Sequence, residues 1–175
     1  MVNKIVFVVF TQFLLLYLQL AMGNIGWTIP FAQLGALYTV LSLGRNPGIA
    51  AALLNSLVLA SLYGGWNLLL IILNPLLVGA LGWWIDRHGE DVKTDFYFPG
   101  IWAGVLAGFP AMLEGIFRWI AGGKYPGYLH ILALQMCWSA VVSGAIFIGF
   151  IFIGEAASEY LGLPRFLNRK GGHKR

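Results

Sequence analysis

Apolar residues fall into six runs along this chain, separated by short polar or glycine-rich interruptions. A helix that crosses the hydrocarbon core of a bilayer needs about 20 mostly apolar residues, and each run approaches that length. The pattern therefore predicts an all-α integral membrane protein, in which one six-helix domain over 1–167 precedes a basic cytoplasmic tail at 168–175. The predicted spans are 5–22, 27–43, 47–63, 66–85, 98–120 and 129–153.

Composition strengthens the membrane assignment and excludes several classes of protein. Of the 175 residues, 59% are hydrophobic and 10% are charged, whereas a soluble domain carries about a quarter charged residues. There is too little polar surface for a water-soluble globule, which excludes a nucleic-acid-binding domain. A single cysteine, Cys137, cannot form a disulfide within the chain, which excludes a disulfide scaffold.

The positions of the basic residues predict the orientation. Of the 11 lysine and arginine residues, only Arg118 and Lys124 fall on one side of a six-span topology, which leaves nine on the other side. Cytoplasmic loops of membrane proteins carry the excess of basic residues. Both termini are therefore expected to be cytoplasmic.

Two rows of small residues are the clearest pattern within the spans. Small residues four apart line one helix face and allow another backbone to approach closely. Such rows either pack inside the bundle or, where one faces outward, dock the transmembrane helix of a partner. The candidates are Gly48, Ala52, Ser56, Ala60 and Gly64 in the third span, and Gly100, Gly104 and Gly108 in the fifth.

Polar residues within the spans form a second group of candidates. Glu114 and Arg118 are four residues apart in the favourable order for a helical ion pair, so they are either a functional site or a self-neutralised anchor. Amides such as Asn55 and Asn74 could line a small-molecule cavity or cross-link helices by hydrogen bonds. Asn74 precedes Pro75, which predicts a kink in the fourth helix.

The sequence contains no pattern that predicts catalysis. The polar loop from Asp86 to Tyr97 lacks the ligand spacing of a known metal site, so we interpret it as a solvated cytoplasmic loop. Neither a nucleophile motif nor a phosphate-binding glycine loop is present. We therefore expect a protein that is not an enzyme and has no metal, cofactor or nucleic-acid partner.

One stretch of the chain resembles a known family. The segment Gly48-Ile49-Ala50-Ala51-Ala52-Leu53-Leu54, the glycines 64–65 and the segment Leu77-Val78-Gly79-Ala80-Leu81 with its basic end at Arg87 resemble MreD, the rod shape-determining membrane protein. The similarity covers about 40 residues. The chain has Asn55-Ser56 where that family commonly carries an acidic residue.

The resemblance implies a non-enzymatic scaffold of the cell-elongation machinery in a bacterial inner membrane. Such a scaffold would bind MreC, a single-span coiled-coil protein, and through it the actin-like cytoskeleton and peptidoglycan synthases. The implied fold is similar to that of substrate-binding subunits of energy-coupling-factor transporters. A vitamin or small-molecule transporter subunit of that type is therefore the alternative function.

Overall fold

A computed structural model of the chain describes residues 2–24, 29–63, 68–88, 97–120, 122, 128–160 and 162; for 2–4, 63, 68–70, 97, 111, 114, 118 and 128 it describes the backbone alone. Six α-helices and no strand occur in these ranges, which confirms the predicted all-helical class. The helices are α1 (Val2–Asn24), α2 (Phe31–Leu43), α3 (Arg45–Tyr63), α4 (Leu68–His88), α5 (Tyr97–Ile120) and α6 (Tyr128–Tyr160).

Each predicted apolar run falls on one helix, but two helix boundaries differ substantially from the prediction. α2 begins at Phe31 instead of residue 27, directly after Pro30. Proline lacks the N–H and tolerates only the first turn of a helix, so Pro30 stands at the boundary. α6 continues to Tyr160, seven residues beyond the predicted end, because its last two turns pack against α2 instead of entering a solvated loop.

The shortest helix lies at the centre of the molecule. α2 has 13 residues, and every one from Phe31 to Ser42 is buried. At about 1.5 Å per residue it is roughly 20 Å long, which is shorter than the hydrocarbon core of about 30 Å. Its end is set by Gly44, whose φ of 104° is a backbone conformation that favours glycine.

The first four helices run alternately up and down. Gln12 in α1 hydrogen-bonds Thr39, whereas the later residue Gln19 hydrogen-bonds the earlier residue Ala32, so α1 and α2 are antiparallel. The contacts of α2 with α3, and of α3 with α4, show the same reversal of order. α1 and α3 are therefore parallel to each other on either side of α2.

α5 and α6 form an antiparallel hairpin that packs beside these four helices. Glycines lie along the interface of the two helices, where Gly104 faces the Ala140 carbonyl and Gly144 faces the Gly100 carbonyl. Trp84 of α4 stacks on Phe98 of α5 with ring centroids 5.7 Å apart, and Tyr38 of α2 contacts Phe150 of α6 edge to face. These aromatic contacts join the hairpin to the rest of the core.

Within the part of the chain that the structure describes, three segments are long and apolar enough to cross a membrane: Ile5–Asn24, Phe98–Phe117 and Leu129–Tyr160. Those in α1 and α6 are mostly unburied, with large apolar side chains such as Phe10, Tyr17 and Leu134 directed away from the bundle. Exposed apolar area on this scale is typical of a surface that meets lipid or another membrane protein. The fold is that of a helical protein associated with a membrane.

Candidate functional site

The small-residue row of α3 lies inside the bundle. Ala52 and Ser56 are fully buried, and a Cβ added to Gly48 would collide with Val40 of α2. Ala60 is half-buried, and Gly64 lies outside the described residues. The described members of this row therefore pack against helices of the same chain, which is the first of the two interpretations considered from the sequence.

The glycine row of α5 forms the seam with α6. A Cβ added to Gly104 would lie 3.0 Å from the carbonyl oxygen of Ala140, and one added to Gly144 would lie 2.9 Å from the carbonyl oxygen of Gly100. Gly108 faces the same surface of α6. The two backbones approach so closely that these three positions of α5 are not available to a partner helix.

A network of buried amides joins the first three helices. The Nδ2 atom of Asn55 in α3 donates to Gln12 Oε1 of α1 and to the Ala32 carbonyl of α2, each at 2.8 Å. Gln12 Nε2 donates in turn to Thr39 Oγ1 at 3.3 Å. Asn55 is completely buried, so its side chain acts as a cross-link at the point where the three helices meet.

A second amide extends this network to the fourth helix. Asn74 Nδ2 of α4 donates to Ser56 Oγ of α3 at 3.1 Å. α4 continues through Pro75, and the Asn74 side chain is 2% exposed. The amide oxygens of Asn55, Asn74 and Gln33 are buried without a hydrogen-bond partner among the described residues. Asn55 and Asn74 thus use donor groups to link helices, as the second interpretation of the amides expected.

The extension of α6 beyond the predicted span carries a polar cluster that sequence reasoning missed. The hydroxyl groups of Tyr38 and Ser158 are 3.1 Å apart, and the Glu155 carboxylate interacts electrostatically with the same Tyr38 hydroxyl group. Gly154 permits this approach, because a Cβ there would lie 2.5 Å from Tyr38 Cζ. In the sequence, two small residues one helical turn apart, Gly154 and Ser158, indicate that the end of α6 can pack closely against another helix. The charged residue Glu155 beside them instead suggested that this part of the chain is solvated.

The outward surface of α6 carries a row of residues that the sequence analysis also did not select. Ala145, Gly149 and Ala156 are exposed on the side of α6 opposite the buried Phe147 and Ile151. A Cβ added to Gly149 would meet nothing within 4 Å, in contrast to the glycines of the α5–α6 seam. We call Trp138, Ala145, Gly149, Phe152 and Ala156 the α6 outer face; all five are exposed.

Trp138 is the largest residue of the α6 outer face and is 73% exposed. It lies ten residues into α6, which corresponds to about 15 Å along the axis. A tryptophan that faces lipid at this depth places an indole N–H where acyl chains offer no acceptor. The position suits contact with another protein better than contact with lipid tails.

Several predicted candidates lie outside the described residues. The side chains of Glu114 and Arg118 are among them, as are residues 89–96 of the polar loop and the tail at 168–175. Within the described residues, no group of three or more histidine, cysteine, aspartate or glutamate side chains is placed to hold a metal ion.

We compared the chain with protein-family models, curated proteins and solved structures. The chain matches no protein-family model, no curated protein and no solved structure.

Proposed function

We propose that this protein is a non-enzymatic scaffold of a bacterial inner membrane, with six spans and both termini in the cytoplasm. Its role would be similar to that of MreD: it would dock a single-span partner such as MreC and so link peptidoglycan synthesis to the actin-like cytoskeleton. The alternating direction of the first four helices and the nine-to-two distribution of basic residues support this topology.

The observation that carries the proposal is the α6 outer face. Glycine in a helix costs about 1 kcal/mol relative to alanine when nothing packs on it. A side chain at Gly149 would have open space around it, so packing within the chain does not require glycine there. The residue one turn earlier on the same face, Ala145, is also small. Small residues four apart on a membrane-facing surface allow a second helix to come close enough for backbone-to-backbone contact. The α6 outer face therefore suits one partner helix.

The size of α6 also fits a single-span partner. The α6 outer face extends over 18 residues from Trp138 to Ala156, about 27 Å at 1.5 Å per residue, which is close to the roughly 30 Å of a hydrocarbon core. Trp138 lies 11 residues from Gly149, three turns along the helix. An exposed tryptophan beside small residues resembles the anchors that contribute most to interface energies.

Co-purification tests this proposal. Ala145→Leu and Gly149→Leu place branched side chains where the partner backbone would lie, so each should reduce recovery of the partner at least tenfold after gentle detergent extraction. Ala80→Leu is the matched control, because Ala80 is an exposed alanine on α4, away from the α6 outer face. It should leave recovery unchanged.

Mass spectrometry of the recovered proteins separates the two functions. A single-span coiled-coil envelope protein supports the scaffold, and depletion of the chain should then give round cells in a rod-shaped host. Recovery of an ATPase with a shared transmembrane coupling subunit would instead establish a transporter subunit. Equal recovery of partner with all three variants would refute docking at the α6 outer face.

A further inference from the structure

Gln135 is an amide that α6 directs away from the bundle. Its side chain is exposed, whereas Leu132 and Met136 of the same two turns face α5. We infer that Gln135 hydrogen-bonds an asparagine or glutamine side chain of the transmembrane helix that docks on the α6 outer face. The inference rests on the docking proposed above, and it adds the chemistry by which the partner helix is recognised.

Gln135 lies at a depth where acyl chains surround an exposed side chain. The apolar segment of α6 begins at Leu129, six residues earlier, which is about 9 Å along the axis. On α5, Gly108 faces the backbone of Met136, and the apolar segment continues nine residues further to Phe117, about 14 Å. Both helices of the hairpin therefore extend well beyond the level of Gln135 before they reach the interface.

An exposed amide at this depth is unfavourable without a partner. Its N–H and carbonyl groups lose their hydrogen bonds to water, and acyl chains offer neither donors nor acceptors in exchange. Polar side chains within a membrane therefore normally face a bundle interior or a water-filled cavity. Gln135 faces outward, so a polar group from another helix is needed to satisfy it.

Gln135 lies on the same side of α6 as the α6 outer face. It precedes Gly149 by fourteen residues, which is close to four turns at about 3.6 residues per turn. A helix seated against Ala145 and Gly149 therefore also passes Gln135. Over the ten residues from Ala145 to Gln135, two helices that cross at about 20° separate by only about 5 Å. Two amide side chains bridge a gap of that size.

The hydrogen-bonding groups of Gln135 select the side chain on the partner. A carboxamide carries both N–H donors and an acceptor oxygen, so a second carboxamide satisfies both kinds of group at once. A charged partner would instead add the cost of placing a charge in hydrocarbon. Trp138, one turn along the same side, has a donor N–H only, which the oxygen of a partner carboxamide can also accept.

Energy transfer in phosphatidylcholine vesicles tests the inference. The full chain carries a donor fluorophore at its C-terminus. The probes are two acceptor-labelled single-span peptides of leucine and alanine, which differ only in carrying asparagine or leucine at the sixth apolar position. At a peptide fraction too low for self-association, the asparagine peptide should associate about fivefold more tightly, since one interhelical hydrogen bond contributes that much. Equal association of the two peptides would overturn the inference, whether both associate or neither does.

Variants identify Gln135 as the residue that recognises the amide. Gln135→Leu should abolish the preference for the asparagine peptide, and Gln135→Asn should keep it. Gln135→Leu combined with Ala80→Gln is the matched control, because it moves the amide to an exposed position of α4. This control should not restore the preference. A preference that survives Gln135→Leu, or that returns with Ala80→Gln, would refute the assignment.

Gly149→Leu separates this inference from the docking on which it rests. We expect it to weaken association of both peptides about tenfold. If both peptides are weakened but the unmodified protein shows no preference for asparagine, the docking is supported and the hydrogen bond is rejected. A preference for asparagine that Gly149→Leu leaves unchanged would support the hydrogen bond and reject docking at the α6 outer face. Energy transfer between two copies of the chain that Gln135→Leu abolishes would assign the amide to a homodimer and overturn the inference.

Discussion

The first four helices and the α5–α6 hairpin are joined in different ways. Side-chain hydrogen bonds join the first four helices in series, and Asn55 lies at the point where α1, α2 and α3 meet. Along the α5–α6 seam, glycines such as Gly104 and Gly144 instead lie against backbone carbonyls of the facing helix. Lipid tails are as apolar as leucine, so helices that lie in a bilayer need such close packing or hydrogen bonds in place of the hydrophobic effect that drives soluble bundles.

The difference shows that close packing and hydrogen bonding are alternative ways to join helices in a membrane. An interhelical hydrogen bond tolerates an ordinary spacing between helix axes, because the amide side chain bridges the gap. Close packing requires the two backbones to be in contact, and a substitution that introduces a larger side chain at the interface prevents that contact. The two halves should therefore respond to different substitutions.

Gly104→Leu is expected to have the largest effect, because it breaks the close-packed half. The added side chain has no room beside the Ala140 carbonyl, and overpacking a tight site costs about 3 kcal/mol. SDS titration followed by tryptophan fluorescence measures the free energy of unfolding. Gly149→Leu is the matched control in the same hairpin and should change stability by less than about 0.5 kcal/mol. Equal losses at the two glycines would contradict the assigned seam.

Asn55→Leu tests the hydrogen-bonded half and should have an intermediate effect. It removes two donated bonds and strands their acceptors, and interhelical hydrogen bonds in membranes contribute about 0.6 to 1.7 kcal/mol each. A loss of about 2 kcal/mol is therefore expected in the same titration. A double-mutant cycle with Gln12→Leu should show a coupling of about 1 kcal/mol. Strict additivity would mean that the two amides do not interact.

Tyr38→Phe removes the hydroxyl contact that joins the two halves, and it should have the smallest effect of the three. The hydroxyl group is 3.1 Å from Ser158 Oγ and also interacts with Glu155, and its loss should cost about 1 kcal/mol, the contribution of a typical intramolecular hydrogen bond. Tyr160→Phe, at a side chain 91% exposed, should leave the free energy of unfolding unchanged. Ser158→Ala should give a loss of similar size, and the double variant should lose less than the sum of the two single losses.

Sequence reasoning predicted the helices better than their ends. Six apolar runs became six helices because hydrophobic length is a local property of the chain. The predicted start of α2 at residue 27 was wrong, because α2 begins at Phe31. Pro30 was a local signal of this boundary, since helices tolerate proline only in their first turn. The end of α6 could not be placed in the same way, because burial of Glu155 depends on Tyr38, more than 100 residues earlier.

The candidate docking residues show the same division. Spacing alone identified the rows at Gly48–Gly64 and Gly100–Gly108 as contact surfaces, since a small residue every turn makes one flat face. It could not say which helix each face meets. The weaker row at Ala145 and Gly149 was passed over, because the residues around it are large.

The sequence by itself determined the class of the protein, its six helices and the residues suited to close approach. Composition and period are read from the chain itself, so a single sequence was sufficient for these predictions. The tertiary structure alone decided that α2 is the core, that Asn55 links three helices, and that Gly149 faces outward. The spacing of residues along a helix is the same whichever face is buried. Which face is buried depends on the neighbouring helices, so only the tertiary structure decides it.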